Sequence, residues 1–103
     1  MNQQILTEIQ SLKRRLLPSE RLILFGSQAR GDAREDSDWD LLALIDKEKR
    51  SFRENFNDYT FPFSEIGDKH GTLVSVIVRN KKEWEERPSL LKHNVEKEGV
   101  EIV

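Results

Sequence analysis

The 103-residue sequence has no cysteine, which excludes disulfides and thiolate metal sites and suits a cytoplasmic setting. It also has no long apolar run. None approaches the roughly 20 residues a membrane-spanning helix needs, and the opening stretch MNQQILTEIQSLKRRLL is too polar and too regularly spaced for a signal peptide. No sign of charge dominates: 17 Lys+Arg against 19 Asp+Glu leave a net charge of −2, so bulk charge confers no affinity for nucleic acid. Aromatic residues are few (8%) and little interleaved with basic ones, a poor composition for gripping single strands. Nucleic acid therefore enters only as an acceptor that a partner helps to hold. Repeats, low-complexity tracts and linkers are missing too. These absences describe one soluble domain, residues 1–103, that uses neither a membrane nor a disulfide framework.

What is present is a dense ionic surface, 35% charged, over 36% hydrophobic residues, enough for a core without staples but with little to spare. Ile5, Ile9, Leu12 and Leu16 recur at helical spacing, with Lys13, Arg14 and Arg15 at the C-terminal end and Pro18 beyond it, which predicts an amphipathic first helix. RLILF (Arg21–Phe25) reads as a buried strand stopped by Gly26. Ser27 can cap a short helix through about Arg30, closed by Gly31. DWDLLALID (Asp38–Asp46) predicts a second strand. From Lys47 to His70, Phe52, Phe56 and Tyr59 fall at spacings of four and three, predicting a helix to about Tyr59 and another from about Pro62. Thr72–Val78 is the third strand, rich in β-branched residues. Two short helices broken at Pro88 and a final extended VEIV complete the chain. The order predicts a small mixed α/β (α+β) sheet flanked by helices, laid on one face.

The chemistry concentrates between Leu24 and Leu42, LFGSQARGDAREDSDWDLL. Alternation along a strand points Asp38 and Asp40 the same way and Trp39 and Leu41 the other. Two carboxylates about 7 Å apart along the backbone converge on one or two cations. Without a cation, like charges that close repel, and one tends to stay protonated. Oxygen-only ligation favours Mg²⁺ or Mn²⁺. Upstream, Gly26 lets a ligand approach the backbone closely, and Ser27 offers a hydroxyl at the start of a helix whose free N–H groups attract anions. Each piece alone has a blander reading, a helix cap or a solvated loop edge. The run DSDWD also mimics a calcium loop, with Asp36, Asp38 and Asp40 at its first, third and fifth positions. That loop needs Gly where Leu41 stands and Glu where Lys47 stands, so calcium is rejected.

Taken together, GSQARG followed by SDWDLL resembles the signature of the DNA polymerase beta-like nucleotidyltransferase superfamily, most closely its minimal nucleotidyltransferase branch of single small domains. The sharp motif covers Gly26–Leu42, and the chain length and surrounding elements fit the same branch. The resemblance implies that Gly26 and Ser27 bind the phosphates of a nucleoside triphosphate and that Asp38 and Asp40 ligate catalytic metal. Arg30 is then either a phosphate contact or a surface partner of Asp32 or Asp36. It further implies transfer of a nucleoside monophosphate, usually AMP from ATP, to a hydroxyl. A helical HEPN-type protein is the implied partner, in a pair that behaves as toxin and antitoxin. The alternative is an antitoxin or nucleotide-binding module that works by protein binding.

One departure stands out. Enzymes of the superfamily usually carry a third carboxylate on a neighbouring strand. Here the central position of Thr72–Val78 is Ser75, which neither supplies charge to a second metal nor acts as a base at neutral pH. The nearest acids, Asp68 and Glu83, fall outside that strand. Elsewhere, Trp39 is expected in the core and His70 at a helix end. Arg79, Lys81 and Lys82 are expected on a solvated surface. Trp84 and the apolar residues Leu90, Leu91, Val95, Val100 and Ile102 are expected either to pack on the domain or to meet a partner.

Overall fold

In a computed structural model, which describes residues 1–34, 37–46 and 50–103, four strands form one mixed sheet. Helix α1 (Gln3–Leu16) leads in. Its first amides are capped by the Asn2 side chain, which accepts from the Gln4 and Ile5 N–H groups at 2.9 and 3.1 Å, satisfying donors that a helix start leaves free. Strand β1 (Arg21–Phe25), the four-residue helix α2 (Ser27–Arg30) and strand β2 (Trp39–Ile45) follow.

Next comes an unbroken helical run: α3 (Phe52–Asn55), a π-turn (Phe56–Thr60) and α4 (Phe61–His70). The sequence predicts two helices here; the structure joins them. Pro62 lacks an N–H and would clash with a carbonyl four residues back in a regular helix. The wider turn just before it, with the Phe61 N–H bonded to the Phe56 carbonyl, accommodates that ring. The extra residue in the turn also breaks the expected apolar stripe. Tyr59 and Phe63 are buried, while Phe52 and Phe56 stack on each other at the surface, ring centroids 6.3 Å apart. His70 ends α4 as expected and pairs with Glu8 of α1. Strand β3 (Val74–Asn80) starts two residues later than predicted. Helices α5 (Lys81–Glu86) and α6 (Leu90–Glu98) flank Pro88, and β4 (Val100–Glu101) is the final extended piece.

The sheet order is β3-β2-β1-β4. β1 runs antiparallel to β2 and β4, and β2 runs parallel to β3. Alternation sorts the strand residues onto two faces. Leu22, Leu24, Trp39, Leu41, Ala43, Val74 and Val76 pack with Ile5, Ile9 and Leu12 of α1 and with Tyr59, Phe63 and Ile66. On the opposite face Ile23, Leu42 and Leu44 meet Val95 of α6, joined by half-buried Phe25, Ile77, Trp84 and Leu91. The helices therefore cover both faces, not one. Trp84, Leu91, Val95 and Ile102 pack on the domain, while Leu90 and Val100 stay exposed. Among the described residues no helix is long and apolar enough to cross a membrane.

Candidate active site

The turn after β1 and the start of β2 form one site, because the β1–β2 register sets Phe25 opposite Asp40. Gly26 adopts φ 77°, ψ −159°, in a region essentially reserved for glycine. A Cβ there would lie 2.5 Å from Asp40 Oδ2. Glycine is thus required twice over, by the backbone and by the carboxylate packed against it. Gly26, and not Ser27, occupies the N-cap position of α2, and glycine has no side chain with which to cap it. The Ser27 hydroxyl is left uncommitted to capping.

Asp40 is half-buried on the face that α6 covers. Its carboxyl is pushed above the usual carboxylate range, first by burial and then by the charge of Asp38, with Arg30 pulling the other way. The repulsion expected of two aspartates one residue apart is therefore felt at Asp40. Asp38 lies just before β2. The loop delivering it is tied by the Ser37 carbonyl, which accepts from Gln28 Nε2 at 3.1 Å and from Thr72 Oγ1 at 3.3 Å. The Trp39 N–H donates to the Leu73 carbonyl at 2.8 Å. Gln28 is 4% exposed, and among the described residues its Oε1 has no hydrogen-bond partner.

Ser75 is the parallel-register partner of Asp40 and so lies beside it on the same face. It stands where the resemblance leads one to look for a third acid. Asp68 sits on α4, packed on the other face, and Glu83 on α5. Among the described residues no group of three or more His, Cys, Asp and Glu gathers in metal-ligating distance. The donor set of Asp38 and Asp40 still fits a hard dication. It is all oxygen and carries like charge that Arg30 only partly offsets, and it leaves most of the coordination sphere to phosphate oxygens and water.

Arg30 bridges two acids, Asp32 at 3.2 Å and Glu98 at 3.2 Å. The ion pair weighed for it in the sequence exists with Asp32; Asp36, and Lys47 farther on, lie outside the described residues. Glu98 is the residue that sequence reading missed. It ends α6, and its carboxylate accepts from the Gly26 N–H at 3.2 Å. Nothing local marks it, since it is one acid in a charged helix 72 positions from Gly26. Gln28 was equally hidden, though its place inside GSQARG was a signal. Arg79, Lys81 and Lys82 lie toward the far end of β3, exposed and away from Asp40.

The sequence matches the family described as nucleotidyltransferase domain over residues 4–101. No curated protein matches it. Among solved structures, a toxin-antitoxin crystal structure with AMP-PNP aligns with 100% of this chain and 73% of its own, at TM-score 0.66 and 18% identity. Two mutant structures of the toxin-antitoxin pair MntA-HpeT align with 94% and 95% of this chain and 70% and 71% of theirs, at TM-scores 0.62 and 0.63 and identities of 17% and 14%. At these identities the likeness is one of fold.

Proposed function

Since this chain belongs to the nucleotidyltransferase domain family, we propose that it transfers a nucleoside monophosphate, AMP from ATP, to a hydroxyl on a protein partner, as the antitoxin of a toxin-antitoxin pair. The observation that carries this reading is the packing of the Asp40 carboxylate on the left-handed Gly26 backbone, which makes the glycine-serine turn and the aspartate pair a single site. The AMP-PNP in one similar structure supports an adenosine triphosphate donor, and the toxin-antitoxin nature of all three supports a protein partner. A helical HEPN-type toxin is the partner this reading names.

In this reading Gly26 and Ser27 seat the triphosphate, and Asp38 and Asp40 hold Mg²⁺ or Mn²⁺. A divalent ion held there would supply charge neutralisation and orientation to the phosphates. The acceptor oxygen forms a bond to the α-phosphorus, the bond to the β-phosphate bridging oxygen breaks, and pyrophosphate leaves. The hydroxyl proton passes to water, because Ser75 is not a base at neutral pH. Trp39 and Leu41, buried on the opposite face, keep the aspartates aimed outward.

The test is calorimetric titration of Mg-ATP into the protein and into a variant carrying Asp38→Ala and Asp40→Ala, followed by mass spectrometry of the partner. The expected result is metal-dependent binding lost in the variant, and a partner heavier by one AMP residue. The second reading, a protein-binding module without turnover, is favoured by Ser75 beside Asp40. It predicts that the double variant still neutralises the partner and that the partner's mass never changes.

A further inference from the structure

Glu98 is bonded to one donor that the proposed function assigns to phosphate, the Gly26 N–H, and to Arg30, the phosphate contact that the resemblance offers as one of its two roles. Its carboxylate accepts from the Gly26 N–H at 3.2 Å and from Arg30 Nη1 at 3.2 Å through both oxygens. The Glu98 side chain is 21% exposed. Its place is fixed by close packing just beyond it. A Cβ on Gly99 would meet the Val95 carbonyl oxygen at 2.4 Å and Ile23 Cγ2 at 2.7 Å, and the Gly99 N–H donates to that same carbonyl at 2.7 Å. The end of α6 is therefore pressed onto β1, with Glu98 over the turn that follows it.

We propose that Glu98 is the resident anion of the phosphate seat, a built-in competitor that any incoming phosphate must displace from Gly26 and Arg30; this rests on the nucleotidyltransferase reading. A main-chain N–H and a guanidinium together form charge-assisted bonds to carboxylate and to phosphate alike. Both cannot occupy the same donors, and two anions side by side there would repel. A tethered carboxylate competes at an effective concentration of millimolar or above, so weak single phosphates are held off. A triphosphate that also shares a divalent ion held by Asp38 and Asp40 would have the surplus to displace it. On displacement Arg30 keeps Asp32 and turns its other edge to the phosphate. Glu98 does not take the part of the absent third carboxylate. It lies within about 8 Å of the Asp40 carboxylate by covalent geometry at Gly26, yet it is engaged by donors and forms no acidic cluster with the aspartates.

Competition taxes every phosphate ligand equally, and that separates the proposal from a metal-ligating role. Glu98→Gln removes the charge and keeps the shape; it should tighten orthophosphate without metal and Mg-ATP by the same factor, about fivefold. In the intact protein, adding Mg-ATP should shift the Gly26 amide and the Glu98 carboxyl resonances together, a measurement that needs no variant to fold. If the intact protein binds Mg-ATP while those two resonances stay put, or while Glu98→Gln binds it equally or more weakly, the proposal is overturned and the nucleotidyltransferase reading stands. If neither protein binds Mg-ATP or phosphate, both fall.

Discussion

The two faces of the sheet do different work. Among the described residues, sixteen buried hydrophobic residues interlock on the α1 and α4 face, including fully buried Phe63, Ile9, Leu22 and Trp39, and four do on the α6 face, Ile23, Leu42, Leu44 and Val95, with half-buried neighbours around them. The candidate site opens at the end of this thinner face, where Asp40 and Ser75 sit beside each other and Glu98 reaches the Gly26 turn. The two sides of β2 thus differ: its odd-numbered residues all join the larger cluster, while on the even-numbered side Leu42 and Leu44 lie under α6 and Asp40, at the strand's start, is only half-buried and carries the proposed ligand role.

This division is broken most severely by Phe63→Ala. Removing a fully buried ring from the thick face should cost about 3–5 kcal/mol, read by urea denaturation. The folded fraction should keep its affinity for Mg-ATP. A loss of affinity in step with stability would mean the two faces are not separable.

Val95→Ala tests the thin face. Two buried methyl groups at ~0.8 kcal/mol each, plus some cavity, predict a loss of about 2 kcal/mol. The effect on ligands should differ from that at Phe63. The Val95 side chain seats the end of α6 against Ile23, Leu42 and Leu44, so on truncation Glu98 should lose its placement and phosphate should bind more tightly. Unchanged phosphate affinity alongside that destabilisation would show that α6 does not position Glu98.

How much of this was legible beforehand follows the same division. β1 matched its predicted bounds, and β2 differed by one residue at each end, because their apolar runs and the glycine after β1 are local signals. The proximity of Gly26 and Asp40 was implied by motif spacing, and the antiparallel register supplies the reason. The Pro62 break was misread because propensity sees only the missing donor, not the π-turn that absorbs it. Coverage of both faces was missed because Val95 and Leu91 carry too weak a pattern to say which side they join. Glu98 was invisible for a different reason: its partners are brought together by tertiary packing, and a single acid in the stretch VEKEG has no periodicity to read.

The smallest expected effect, and the one that states the division most sharply, is that of Asp40→Asn. The Asp40 carboxyl is raised by burial and by Asp38, so between its unfolded and folded pKa values the native state binds the extra proton. Stability then falls as pH rises through that window and stays reduced at neutral pH. Asparagine has no charge to desolvate or repel, so Asp40→Asn should melt a few degrees higher at pH 7, with the advantage vanishing below the ordinary carboxylate pKa. Mg²⁺ should raise the Tm of the intact protein and leave that of the variant unmoved. Thermal melts at pH 3 and pH 7, with and without Mg²⁺, read all of this. A variant less stable than the intact protein at pH 7 would mean that Asp40 helps hold the fold, and that the thin face is not given over to ligand. A higher Tm together with lost Mg-ATP binding would show a charge kept at the expense of stability, which a sheet needs on one face only when that face has chemistry to perform.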